Sequence, residues 1–114
     1  MDKISKYLFD VLEACQEIEE ETSLRGRSFD VFCKERVYRK FVERNFEIIG
    51  EAMNRILKIN PEIPITSARK IVNTRNLVIH SYDSLDKEIL WGIVIKHLPV
   101  LKKEIELVLK ESML

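Results

Sequence analysis

One short segment of the chain concentrates the side chains that can do acid–base and phosphate chemistry. Arg75 supplies a fixed cation, Asn76 an amide, His80 an imidazole and Tyr82 a phenol, all within eight residues. An imidazole exchanges protons near neutral pH, and a guanidinium holds phosphate oxygens in a planar fork. The combination indicates a candidate site for chemistry on a phosphate group.

The spacing within this segment restricts how its groups can meet. Asn76 and His80 are four residues apart and share one helix face. Arg75 and His80 diverge by roughly 140° on a straight helix. Both reach one phosphate only if the helix loosens before His80, if the Arg75 side chain wraps round, or if a partner subunit completes the site.

The same residues also permit a purely structural interpretation. Asn76 and His80 can form a hydrogen-bonded helix end, where a histidine satisfies the last carbonyls and gains from the helix dipole. Arg75 can then pair with Glu47 or Glu51 of the preceding helix. On this interpretation the segment binds nothing and only terminates a helix.

The composition predicts a single globular domain over residues 1–114. Hydrophobic residues make up 46% and charged residues 33% of the chain, enough for one core without disulfides or metal. The apolar runs are short and the N-terminus lacks a signal-peptide core, so we expect a cytoplasmic protein with no membrane partner. Cys15 and Cys33 fall among apolar positions and are predicted to be buried free thiols.

Charge is distributed unevenly along a chain whose net charge is zero. The first 24 residues carry two lysines against seven acidic residues. All eight arginines lie between Arg25 and Arg75. Arginine is the usual residue for holding phosphate, so this middle part could bind an anion locally, although a solvated helix face would look the same.

The periodicity predicts an all-α, up-and-down four-helix bundle. Pro99 should kink the last helix by removing the hydrogen bond to the Ile95 carbonyl. Trp91 is expected to belong to the core, and His97 to be a core or cap residue. The predicted helices cover about 2–21, 30–59, 66 or 67 to 79, and 85–111, with a connector at 22–29 and a turn at 80–84.

The second predicted helix carries more apolar surface than one bundle needs to cover. Its first stripe contains Val42, Phe46, Ile49, Met53 and Ile56, and a second stripe contains Tyr38, Phe41, Ile48, Ala52 and Ile59. A face this wide needs more than one covering partner, which predicts a homodimer. Gly50, in mid-helix, is expected to admit the close approach of another backbone.

Three segments, taken in order, resemble the HepT-like branch of the HEPN superfamily. Positions 75–82 read RNLVIHSY, which is similar to that family's RNxxxHxY signature. Positions 42–52, VERNFEIIGEA, resemble its "ER…EIIGEA" helix, and positions 89–101 resemble its final "W…LP.L" helix. The signature alone is short, but the three together cover nearly the whole chain.

The resemblance implies a function that the residues alone do not give. Proteins of this type are toxins of two-gene modules, silenced by a minimal nucleotidyltransferase antitoxin. They act on RNA as homodimers, without metal or cofactor, in a cleft at the dimer interface. Carried over to this chain, Arg75 and His80 become the RxxxxH catalytic pair and Asn76 their support. Tyr82 becomes the tyrosine that the antitoxin modifies with AMP.

Two other functions remain open from the sequence. The chain contains no second obvious proton-transfer group beside His80, so it could be a non-catalytic nucleotide-binding module or an accessory partner of a nucleotidyltransferase. It could also be a purely structural helical dimer. Nucleotide binding without RNA turnover would distinguish the first of these from a ribonuclease.

Overall fold

The computed structural model describes residues 2–79 and 85–112, and this part of the chain is almost entirely helical and contains no strand. The all-α prediction is therefore confirmed. The predicted turn at 80–84 lies outside the described residues. The helices are α1 (Lys3–Leu24), α2 (Phe29–Lys34), α3 (Arg36–Ile59), α4 (Ala68–Ile79), α5 (Leu85–Gly92) and α6 (Leu98–Ser112), and a π-helical segment (Ile93–His97) joins α5 to α6.

Helix α1 begins where its capping residue predicts and extends further than expected. The Asp2 carboxylate accepts a hydrogen bond from the Ser5 amide at 2.7 Å. The predicted end at Glu21 is extended to Leu24. Arg25 donates to the Glu21 carbonyl at 3.2 Å and pairs with the Glu21 carboxylate. This cation offsets the negative charge that disfavours the C-terminal end of the helix.

The second predicted helix is wrong as a single element, because it is broken at Glu35. The short helix α2 has its own cap, with the Val31 amide donating to Ser28 Oγ at 3.2 Å. Glu35 then adopts an extended backbone (φ −90°, ψ 94°), and α3 begins at the next residue. Arg39 of α3 donates to the carbonyls of Phe32 and Cys33 at the end of α2, which satisfies acceptors that the break exposes.

Helix α3 is the central helix of the bundle and packs against α1 and α4. Its first predicted stripe is confirmed, since all five of those residues are fully buried. The second stripe is divided: Tyr38 and Ala52 are buried, whereas Ile48 and Ile59 remain 42% and 50% exposed. Apolar surface on α3 is therefore left uncovered by the single chain.

The linker before α4 is tied to the end of the bundle. Asn60 Oδ1 accepts from the Glu62 amide at 3.1 Å, and Ile63 and Ile65 are buried. Thr66, one of the two residues at which the helix was expected to start, instead binds the Glu104 carboxylate of α6 through its amide (3.0 Å) and its hydroxyl (3.1 Å). Helix α4 starts at Ala68, directly after Ser67, the other expected position.

The disturbance expected at Pro99 is present as a widened helical turn. The Leu98 amide bonds to the Ile93 carbonyl, five residues back, and both ends of the π-helical segment keep right-handed helical backbone. Pro99, which has no N–H to donate, follows directly. A π turn is one way for a helix to continue past such an interruption.

The sulfur and aromatic predictions are mostly confirmed. Cys15 is a buried free thiol, and burial raises its pKa to about 12, whereas Cys33 is only partly buried. Phe46 is buried, and Trp91 is half-buried with its ring centroid 5.2 Å from that of Phe32. No helix of the described ranges is long and apolar enough to cross a bilayer.

Candidate active-site groove

A groove of about 590 Å³ runs between α1 and α3, and Arg75 of α4 contributes to its lining. One wall is the polar face of α1, which carries acidic side chains. The other wall belongs to α3, where an arginine at each end flanks two glutamates and the exposed Ile48. The acidic residues of the α1 wall are Asp10, Glu13 and Glu17, and the charged residues of the α3 wall are Arg44, Glu47, Glu51 and Arg55.

Arg75 occupies its position because residue 50 is a glycine. A Cβ added at Gly50 would lie 2.5 Å from Cδ, 2.7 Å from Cγ and 2.8 Å from Cβ of Arg75. Contacts this short cannot exist, so any larger residue would push Arg75 away from α3. The close approach predicted at Gly50 is therefore real, but the approaching group is the Arg75 side chain rather than another backbone.

The guanidinium of Arg75 is paired with Glu51. Arg75 Nη2 lies 3.4 Å from Glu51 Oε2, and the Arg75 side chain is 22% exposed. Of the two partners that the sequence offered, Glu47 and Glu51, the structure brings Glu51 to Arg75. The packing on Gly50 and the ion pair with Glu51 together hold a mostly buried cation at the groove.

Glu51 also links Arg75 to a second arginine. Arg55 Nε lies 3.0 Å from Glu51 Oε1, one helical turn along α3. The Arg55 guanidinium in turn lies 5.9 Å from the centre of the Tyr7 ring of α1, at the outer limit of a cation–π contact. We call Glu51, Arg55 and Arg75 the groove triad, which holds two cations and one carboxylate.

The structure describes only part of the predicted catalytic set. Asn76 lies in α4, and its side chain is outside the described part. His80 and Tyr82 lie outside the described residues altogether. Helix α4 keeps its helical form to Ile79, so the helix does not loosen between Arg75 and that residue, which was one of the three ways of bringing Arg75 and His80 together.

Several groove residues could not be singled out from the sequence. Asp10 lies on the polar face of α1, the ordinary solvent side of an amphipathic helix, whereas Tyr7 is partly buried against the core. Arg55 interrupts the second apolar stripe of α3, and nothing else in the sequence marks it. Asn45, the other interruption, is buried and donates to the Phe41 carbonyl at 3.2 Å.

His97 lies away from the groove and was predicted to be a core or cap residue. It is half-buried at the end of the π-helical segment. Partial burial, together with the positive charges of Lys70 and Lys96, lowers the pKa of His97 below its usual value of 6.5. Its imidazole is therefore held neutral at neutral pH.

The fold and the groove together define the class of protein: a helical bundle with arginines and carboxylates along a groove between its helices. Within that class, the chain belongs to the HepT-like ribonuclease family, because the family model described as "Ribonuclease HepT-like" matches residues 11–108. This confirms the family that the three sequence segments resemble.

Relatives at full length bear provisional ribonuclease names. A protein of Methanocaldococcus jannaschii that is named "Putative RNase" is 33% identical over 106 residues, which are 92% of this chain and 95% of that protein. "Probable ribonuclease HepT" of Thermococcus cleftensis is 36% identical over 104 residues, 88% of this chain and 90% of its own. A relative in Caldanaerobacter subterraneus is 29% identical over 107 residues, 93% and 94% of the two chains. No solved structure matches the chain significantly.

Proposed function

We propose that the protein is the toxin of a two-gene toxin–antitoxin module and that it cleaves RNA as a metal-independent endoribonuclease. Membership of the HepT-like ribonuclease family supports an RNA substrate. The observation that carries the assignment to this site is the position of Arg75, which Gly50 and Glu51 hold at a groove. The catalytic pair is then Arg75 and His80, with Asn76 as their support.

Arg75 supplies the positive charge that phosphodiester cleavage requires. Negative charge builds up on the phosphate oxygens as the 2′-oxygen attacks phosphorus. A cation held in place before the reaction stabilises that charge without reorganising. Because the Arg75 side chain is mostly buried against Gly50, its guanidinium has little freedom to move away from the groove.

His80 supplies proton transfer. Its imidazole suits either of the two proton transfers of the reaction, since it titrates near neutrality. It follows Arg75 by five positions in the chain. In a homodimer two copies of His80 and two of Arg75 would be available, which fits a cleft at the dimer interface.

Apolar surface at the groove supports the homodimer. Ile48 lines the groove and is 42% exposed, and Ile59 of the same helix is 50% exposed. Covering such side chains contributes about 25 cal/mol for each Å² removed from water. A second copy that covers this face of α3 would also enclose the groove and exclude water from its charges.

The charges of the groove indicate where RNA would lie. The α1 wall is acidic and repels a phosphate backbone. The α3 and α4 side carries three arginines, Arg44, Arg55 and Arg75, against two glutamates, Glu47 and Glu51, and attracts it more. We therefore expect the RNA backbone to follow the side of the groove formed by α3 and α4.

The decisive experiment is RNA cleavage in EDTA by wild type and by His80→Ala. His97→Ala is the matched control, because it removes the other histidine of the chain from a position outside the groove. We expect cleavage by wild type and by His97→Ala, and none by His80→Ala. A folded His80→Ala protein with full activity would contradict the proposal. Nucleotide binding that depends on Arg75, without any RNA turnover, would support an accessory nucleotide-binding partner instead.

Silencing by a minimal nucleotidyltransferase antitoxin is a separable part of the proposal. AMP groups on Tyr82 would place negative charge two residues from His80, where the RNA backbone must bind. We expect co-expression with the nucleotidyltransferase to add an adenylate-sized mass to wild type but not to Tyr82→Phe. An unchanged mass of wild type with an active transferase would argue against this modification.

A further inference from the structure

RNA cleavage without metal needs two proton transfers. The RxxxxH pair contains only one group, the histidine, that can transfer a proton. One group must accept the proton of the 2′-hydroxyl, and another must donate a proton to the leaving 5′-oxygen. Arginine remains protonated throughout and can do neither. His80 can do one of the two within a turnover, so a chain that uses only these residues depends on its partner for the other.

The groove contains a carboxylate in the position where a second group is needed. Glu51 Oε2 lies 3.4 Å from Arg75 Nη2, the cation that would hold the scissile phosphate. In RNA the 2′-oxygen is close to that phosphate, because it attacks the same phosphorus. A carboxylate that touches the phosphate-binding guanidinium is therefore within reach of the 2′-hydroxyl.

Glu51 is held in this position from both sides. Its other oxygen, Oε1, accepts a hydrogen bond from Arg55 Nε at 3.0 Å, while the glycine before it in the chain brings Arg75 against α3. The side chain is 47% exposed, so a substrate can reach it. Both carboxylate oxygens are thus held by arginines, Oε1 by Arg55 and Oε2 by Arg75, so the group keeps a defined direction, which proton transfer requires.

We propose that Glu51 is the catalytic base of the cleavage site. The proposal rests on the ribonuclease function proposed above and names the second group that the reaction needs. The Glu51 carboxylate takes the 2′-hydroxyl proton as the 2′-oxygen forms its bond to phosphorus. The bond from phosphorus to the 5′-oxygen breaks, and the His80 imidazolium protonates that oxygen. The products are a 2′,3′-cyclic phosphate and a 5′-hydroxyl. Glu51 has gained one proton and His80 has lost one, so the net charge of the site is unchanged.

A purely positioning role for Glu51 makes a different prediction. If Glu51 only orients Arg75, its loss weakens the grip on phosphate and leaves the pH dependence of the rate unchanged. If Glu51 is the base, the rate falls at low pH because the carboxylate becomes protonated. Among the described residues, the other ionisable groups of the groove are Tyr7 and the three carboxylates of α1, Arg44, Glu47 and Arg55 of α3, and Arg75.

The experiment is a single-turnover pH–rate profile of RNA cleavage in EDTA for wild type, Glu51→Gln and Glu21→Gln. Glutamine keeps the size of glutamate and accepts hydrogen bonds but is a far weaker base. Glu21 is the matched control, since it also pairs with an arginine four residues along a helix and is comparably exposed at 38%, but it lies outside the groove.

We expect Glu51→Gln to cleave roughly 10²- to 10⁴-fold more slowly, as for the loss of a general base. We also expect its profile to lose the acidic limb, and its affinity for a non-cleavable RNA to fall by much less than its rate. Glu21→Gln should keep the wild-type rate and profile.

Two results would overturn the inference about Glu51 and leave the ribonuclease function intact. One is a Glu51→Gln protein that keeps the rate and the acidic limb of wild type. The other is a rate loss that is matched by an equal loss of RNA affinity, with the acidic limb preserved. Failure of the wild-type protein to cleave RNA would instead overturn the ribonuclease function and Glu51's role together.

Discussion

Two arginine–glutamate clusters in this bundle use the same side chains in opposite proportions. At the junction of α1, α2 and α3, Arg25 pairs with both Glu21 and Glu35 and lies 4.5 Å from the centre of the Tyr38 ring. In the groove triad, Glu51 pairs with both Arg55 and Arg75. The first cluster contains one cation and two anions, and the second contains two cations and one anion.

The difference separates a structural cluster from a candidate binding site. Arg25 binds the last turn of α1 through the Glu21 carbonyl and covers the ring of Tyr38, which is buried and hydrogen-bonded to Thr22 at 2.6 Å. Its neighbours already neutralise it. In the groove triad two arginines share one carboxylate, but the groove lining as a whole contains five acidic side chains and three arginines. The two clusters therefore differ in position, because the triad lines the groove and the Arg25 cluster does not.

The largest difference between the two clusters is expected from Gly50→Ala, which should disrupt the groove triad and slow RNA cleavage. The added Cβ would overlap the Arg75 side chain and force it or α4 to move. A displacement of about 1 Å commonly costs about 10²-fold in rate. We expect RNA cleavage to fall by about that factor while the circular dichroism spectrum remains helical.

Gly92→Ala is the matched control for this prediction. Gly92 has helical backbone at the end of α5, and a Cβ there would meet nothing within 4 Å. Alanine should therefore stabilise the helix by up to ~1 kcal/mol and leave cleavage unchanged. Equal activity of Gly50→Ala and Gly92→Ala would show that the packing of Arg75 on Gly50 has no role in function.

A smaller effect, on stability alone, is expected at the structural cluster. Arg25→Ala removes two ion pairs and the stacking on Tyr38, each of which contributes up to ~1 kcal/mol. We expect the free energy of unfolding in urea to fall by about 1–2 kcal/mol. The folded protein should cleave RNA at the wild-type rate. Loss of cleavage in folded Arg25→Ala would remove the distinction between the clusters.

The smallest expected effect concerns His97, which belongs to neither cluster. Its pKa is lowered in the folded state, so the unfolded chain binds a proton more readily. Stability is then lost as the pH falls from the ordinary pKa of 6.5 through the lower pKa of the folded state. We expect His97→Gln to lose less stability than wild type over this window, and the difference to be small because the site is partly exposed. Urea unfolding of both proteins at several pH values measures the difference, and identical pH slopes would contradict it.

The sequence predicted the long helices because their apolar residues recur at helical spacing. It did not predict the break at Glu35, since no glycine or proline marks it. The break depends on the Ser28 cap and on Arg39, which binds the carbonyls at the end of α2. Such tertiary contacts override local periodicity and cannot be read from it.

For the candidate site, the sequence identified Arg75 and offered Glu51 as one of two partners. It could not choose between Glu47 and Glu51, because both lie one turn apart on α3 and only the packing of α4 brings one of them to Arg75. Tyr7 could not be identified for a different reason. It comes from a distant part of the chain, and nothing in α1 distinguishes it from an aromatic residue that only packs against the core. The arrangement of Arg75 with His80 and Tyr82 remains a prediction.

The most direct test of the central claim compares Arg75→Ala with Arg25→Ala in a single-turnover RNA cleavage assay in EDTA. Both variants remove an arginine that is paired with glutamate, so they differ only in which cluster loses its cation. We expect Arg75→Ala to lose about 10²- to 10³-fold in rate and Arg25→Ala to cleave like wild type. Equal rates for the two variants would contradict the assignment of the groove as the active site.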